Sequence, residues 1–196
     1  ARRPTASIFG NRDFLWTARK WRGHHPLSWY RKHGAAKLPD DLRARPLFRE
    51  ESLEHMHKLL DESDVGYRVR DYASLGLSVV GGRPFSNGGR SRGGARNLYK
   101  SKFYRFHYGV RSLELSSRRI VDASRDARFG HSTVVLAHHG PDGLGDAPSD
   151  PCGCDWDETR RPLDWGDPDL AMALREAQAL PGVRVPLVVF GHMHAQ

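Results

Sequence analysis

The spacing of apolar and polar positions divides the chain into unlike segments. Thr5 to Phe9 is a short apolar run before Gly10-Asn11, which reads as the end of a buried strand. From Trp16 to Phe48 the text is rich in Arg, His, Trp and Pro without a clear period, so 16–50 reads as an insertion of loops and short helices. Glu50 to Ser63 has helical spacing through Leu53, Met56 and Leu60, with Leu59 widening the stripe. Val65 to Val69 and Leu75 to Val80 read as strands around a turn at Asp71–Ser74, and Gly81-Gly82 ends the second. Residues 83–102 read as a flexible basic loop, followed by Phe103, Tyr104, Phe106 and Tyr108.

The later half is more regular. Ser112 is placed to cap a helix running to about Arg128, with Leu113, Ile120, Ala123 and Ala127 inward. Thr133 to Ala137 is a continuous apolar strand, and Gly140 to Trp165 is loop. Asp167-Pro168 opens a helix whose inner face is Leu170, Ala173, Leu174 and Ala177. Val185 to Phe190 is another apolar strand. Wholly apolar strands alternating with amphipathic helices predict an α/β core in layers, in which such strands are covered on both faces. There is no internal repeat.

The 196 residues suffice for one domain with a real core, and a composition 38% hydrophobic and 28% charged is that of a globular chain. No apolar run approaches the ~20 residues of a membrane helix. The net charge of +8 favours anionic partners: phosphate esters, nucleic acid or acidic lipid. Cys152 and Cys154, spaced C-x-C, are too close for an easy mutual disulfide and too few for a secreted framework. They read as free thiols in a reducing, intracellular setting, because no second pair stands at zinc-finger spacing. The start at Ala-Arg-Arg-Pro, without Met or a signal peptide, and the stop two residues after a His-rich motif suggest a single, incomplete domain.

Three polar clusters follow apolar runs. Asn11 follows Thr5–Phe9, His138 and His139 follow Thr133–Ala137, and His192 and His194 follow Val185–Phe190. In open α/β sheets, sites form beyond the carboxyl ends of strands, where residues distant in sequence converge. Neutral imidazoles and an amide oxygen are ligands for divalent transition ions. His24-His25 reads as surface loop, His55 and His57 as ordinary helix residues, and His107 and His131 have no context.

These motifs carry a resemblance. Gly10-Asn11-Arg12-Asp13, Ala137-His138-His139-Gly140-Pro141 and Gly191-His192-Met193-His194 resemble the third, fourth and fifth motifs of calcineurin-like metallophosphoesterases. Leu75 to Ser86, Pro141 to Asp146, Asp150 to Gly153 and Asp164 to Asp169 are similar to a subfamily of cyanobacteria and plastid-bearing eukaryotes, and the likeness spans nearly the whole chain. The resemblance implies a four-layer αββα sandwich, partial here, and a plastid as one expected location. It implies two divalent metal ions, Mn, Fe or Zn, with Asn11, His138 and His192 on the second and His194 on the first. It also implies hydrolysis of a phosphate ester or anhydride by a metal-bridging hydroxide, with Arg12 and His139 toward substrate. The family's D-x-H and G-D-x-x-D motifs would lie upstream of Gly10. Arg12 stands where the family has a His that assists the leaving group. A guanidinium stays protonated at neutral pH and can hold a phosphate oxygen but cannot donate the proton. Asp13 would then pair with Arg12.

Two other readings compete. Arg12 and the missing motifs fit a non-catalytic relative serving in binding or assembly. The alternation of Arg and Lys with Tyr and Phe over 83–108 fits nucleic-acid binding, although a loop flanking an active site, with core aromatics behind it, is favoured. The substrate and the oligomeric state are not legible.

Overall fold

The computed structural model describes residues 5–9, 54, 57–86, 88, 101–154 and 163–191. In chain order the elements are β1 (Val69–Tyr72), β2 (Leu77–Gly81), α1 (Ser101–Tyr108), α2 (Leu113–Arg125), β3 (Ser132–Ala137), β4 (Gly153–Cys154), β5 (Leu163–Asp164), α3 (Pro168–Gln178) and β6 (Leu187–Phe190). Four strands form one sheet in the order β1-β2-β3-β6. β1 is antiparallel to β2, while β2, β3 and β6 run parallel, with Val80 beside Val135 and Val135 beside Val188. β4 and β5 form a separate two-stranded ladder. The arrangement is α/β, as expected. Among the described residues there is one four-stranded sheet, and no second sheet of that size.

Parallel neighbours need crossovers, and helices supply them. α2 joins β2 to β3 and α3 joins β3 to β6; the two helices pack on each other, and α2 packs on β2. Ser112 caps α2, its side chain accepting from Leu115 N at 3.2 Å. The core gathers Ile120, Val121 and Ala123 of α2, Leu170 and Ala173 of α3, and Val80, Val135 and Ala137 of the sheet. Tyr104, Phe85 and Phe9 complete it, with the Phe9 ring stacked on Phe85 at 4.8 Å.

Several boundaries move. Helix is described at Glu54 and over 57–60, and it tightens into a 3-10 turn at Asp61–Ser63. Leu59 is 71% exposed, so it belongs to the outer face rather than the apolar stripe. The strand expected at Val65–Val69 starts only at Val69, because Tyr67 takes a left-handed backbone (φ 56°) that breaks an extended run. Asp71 and Tyr72 are therefore in β1, and the turn falls at Ala73–Gly76, where Gly76 supplies φ 60°. α2 stops at Arg125, leaving Ala127 half-buried beyond it.

Two expectations fail on burial. The stretch expected to be a flexible basic loop from 83 to 102 begins inside the protein: Arg83, Phe85 and Ser86 are 1%, 0% and 0% exposed, and its last residues open α1. β6 was expected to be buried. Among the described residues it is instead an edge strand, with Leu187 and Val189 facing outward and Val188 and Phe190 half-covered. The proposed insertion at 16–50 lies outside the described residues.

Candidate functional site

The parallel strands end together. The register pairs Gly81 with Leu136 and Ala137 with Phe190. Gly82 N–H then donates to Leu136 O at 2.8 Å, and Gly191 N–H donates to His138 O at 3.2 Å. His138 and Gly191, the residue before His192, thus sit side by side at the carboxyl edge of the sheet. Phe9, two residues before Asn11, reaches the same region: its carbonyl accepts from Phe85 N at 2.8 Å. Among the described residues, His138 and Gly191 therefore share one edge at the strand ends.

The two adjacent histidines differ. His138 is half-buried, while His139 is 1% exposed, and their rings meet edge to face at 4.9 Å. Gly88 closes over His139 with φ 64°; a Cβ there would lie 2.2 Å from Trp165 O and 2.3 Å from His139 Nδ1. The carbonyl of Gly140 accepts from Asp167 N at 2.7 Å, which ties the histidine loop to the start of α3.

Beneath that edge lies a buried ionic seam. Arg83, in the loop after β2, pairs with Asp167 through Nη2 and with Asp169 through Nε at 3.2 Å; all three side chains are at most 2% exposed. Ser86 Oγ donates to Asp167 at 2.7 Å and accepts from Gly88 N at 2.9 Å. Ser116 of α2 donates to Asp169 and shares a 2.6 Å hydrogen bond with the Tyr67 hydroxyl. Asp167 occupies the cap position of α3 as expected, but its carboxylate makes no capping bond. Burial pushes the Asp167 carboxyl up to about 7, and against this Arg83 lowers it; Asp169, sharing the same guanidinium, raises it further. For Arg83 burial opposes the charge, yet the two carboxylates outweigh it and hold the group protonated. Burial likewise raises the Tyr67 and Tyr104 hydroxyls above their usual range.

Of the sequence-derived site residues, His138 and His139 are described: both directly follow β3, and His139, expected toward substrate, is buried. Asn11, Arg12, Asp13, His192 and His194 lie outside the described residues. Among the described residues, no three His, Cys, Asp or Glu side chains come together to hold a metal ion. His138 fits such a role in the chemistry of its ring and in its place at the end of β3. Cys152 is a free thiol, pushed up to about 12 by burial and then by Asp164 and Asp167, which makes it an unreactive donor.

Two groups escaped the sequence. One is the Arg83–Asp167–Asp169 seam, whose members lie far apart in the chain. The other is His57, read as ordinary, whose Nδ1 lies 3.0 Å from Asp64 Oδ2, with Asp64 only 3% exposed. The seam's residues carry no local pattern, although both of its segments fall within the stretches that carry the family resemblance.

Of the described aromatic and basic residues in 83–108, Arg83, Phe85 and Tyr104 are in the interior, and Tyr104 donates to Pro84 O at 2.7 Å. These three cannot stack on bases, whereas Phe106 of the same segment is 73% exposed. No helix among the described residues is long and apolar enough to cross a membrane. Compared with known proteins, the chain matches no family model, no curated protein and no solved structure.

Proposed function

We propose that this chain supplies part of a dinuclear metal site for hydrolysis of a phosphate ester or anhydride, built at the carboxyl ends of β2, β3 and β6. The observation that carries this reading is the continuation of the β3–β6 ladder past the strands, from Gly191 N to His138 O at 3.2 Å. It brings two motif-bearing turns together. On this reading the sheet belongs to a four-layer sandwich of the calcineurin-like kind.

His138 and His192 would hold one ion together with Asn11, and His194 the other. When bound, two such ions lower the pKa of a bridging water and neutralise phosphoryl oxygens. The named residues are an amide and three imidazoles, so the bridging carboxylate must come from elsewhere. Arg12 would hold a phosphate oxygen, and because it stays protonated it donates no proton to the leaving group. His139, buried under Gly88, sets the course of the loop that presents His138. The Arg83 seam fixes that loop from below: it holds Asp167, the cap residue of α3, whose backbone N–H donates to Gly140 O. Arg83, Asp167 and Asp169 are positioning residues.

The test is elemental analysis of the purified protein, with hydrolysis of an aryl phosphate assayed alongside. Bound Mn, Fe or Zn that falls when His138 is changed to Ala is the expected result. Metal content at background, unchanged in the variant, would sink the reading. Arg12 favours a second reading, a metal-binding relative without turnover: metal bound through His138 with no hydrolysis would select it. Two equivalents of metal with turnover would exclude it.

A further inference from the structure

A concavity is formed by the segment leading into β1, by the end of α1 and by α2. It encloses about 330 Å³ and is lined by Glu54, His57, Gly66, Tyr67, Arg68, His107, Tyr108 and Arg119. That volume is near the lower end for small-molecule sites. None of these residues is among the proposed metal ligands, and Tyr67, whose hydroxyl bonds Ser116 of the seam, is shared with the wall beneath the strand-end site.

Its wall is built. Asp64 is 3% exposed; one oxygen faces His57 Nδ1 at 3.0 Å and the other accepts from Gly66 N at 3.1 Å. That pairing fixes the imidazole's orientation. Phe9 packs edge-on against the His57 ring at 5.2 Å. Tyr67 reaches the wall with the left-handed backbone noted above, a strained conformation for a bulky side chain, and strain of this kind gathers at functional sites.

The cationic groups are unspent. Arg68 and Arg119 are both exposed, and neither is ion-paired among the described residues. Arg119 donates to Tyr108 O at 2.8 Å, which steadies its head. Glu54 is the one exposed carboxylate on the lining. Two guanidinium forks and an oriented imidazole offer more donors than the two oxygens of a carboxylate can accept, whereas a phosphate has three free oxygens. The Tyr67 and Tyr108 rings leave an apolar wall for a small organic body.

We propose that this cavity binds a small phosphate monoester, with Arg68, Arg119 and His57 on the phosphate. The site is separate from the strand-end centre and requires no metal.

The experiment follows the imidazole carbon-bound proton resonances of the full chain by NMR as inorganic phosphate is added at constant ionic strength. His57→Gln and His107→Gln assign the signals, and half-buried His131, which bonds Ser78 at 3.1 Å and lies outside the cavity, is the reference. The expected result is a saturable shift at His57 and His107, not at His131, with affinity about tenfold weaker in Arg68→Gln. Arg119→Gln is expected to weaken it similarly. Arg68 is exposed and makes no bond that the fold needs, so its variant stays folded. No saturable shift, an equal shift at His131, or unchanged affinity in Arg68→Gln would each overturn the proposal.

Discussion

β2 and β6 are spelled almost alike, Leu-Ser-Val-Val-Gly and Leu-Val-Val-Phe, and they flank β3 in one sheet. From Ser78 onward β2 is buried on both faces, and the chain then enters the interior at Arg83. Among the described residues β6 is an edge strand with Leu187 and Val189 outward, and it leads to an exposed Gly191. An apolar strand is therefore not a statement about burial. What covers it depends on neighbours distant in sequence, here β1 and β3 for one strand and β3 alone for the other.

The largest effect should come from the charges behind the two strands. Arg83→Met leaves Asp167 and Asp169 buried without their cation and should cost about 3–5 kcal/mol in denaturant unfolding. Arg184→Met, at an exposed position just before β6, should cost less than about 0.5 kcal/mol. Equal costs would break the comparison.

The seam also gives a pH dependence. In the folded chain Asp167 keeps its proton up to about 7, whereas an unfolded Asp loses it near ~4. Between those values the native state holds more protons, so stability falls as pH rises through the window, on the order of 1 kcal/mol per pH unit. Unfolding midpoints at pH 5, 6 and 7 should show the fall, and Asp167→Asn should flatten it. A rise with pH would refute the assignment.

Truncation compares the strands directly. Val80→Ala, at a fully buried position, should cost about 2 kcal/mol, while Val189→Ala, 43% exposed, should cost less than about 0.5. A further effect, between those of the two truncations, is local to α2: Ser112→Ala removes the cap on Leu115 N and should lower stability by about 1 kcal/mol.

Features written in neighbouring residues were legible. Ser112 opens α2, Asp167-Pro168 opens α3, and Thr133–Ala137 is β3 almost to the residue, because caps and periodicity are local signals. The shared edge of His138 and Gly191 was legible too, since parallel strands of like length end together. The fate of Arg83 was not. Among Gly, Ser and Arg it reads as solvated loop, and only Asp167, 84 positions on, makes it interior. His57 was missed similarly, for the helix pattern says nothing of a buried Asp64 waiting beyond its end. Asn11, His192 and His194 were named from motif and strand context, and they lie outside the described residues.

On the proposed reading, the edge beside β6 would hold metal where β2's side holds a salt bridge. Crystals soaked in Mn²⁺ and measured for anomalous scattering test it most directly. A peak about 2.0–2.2 Å from an imidazole nitrogen of His138 is expected. A map without a peak at His138, or with its only peak in the cavity of His57 and Arg68, would contradict it.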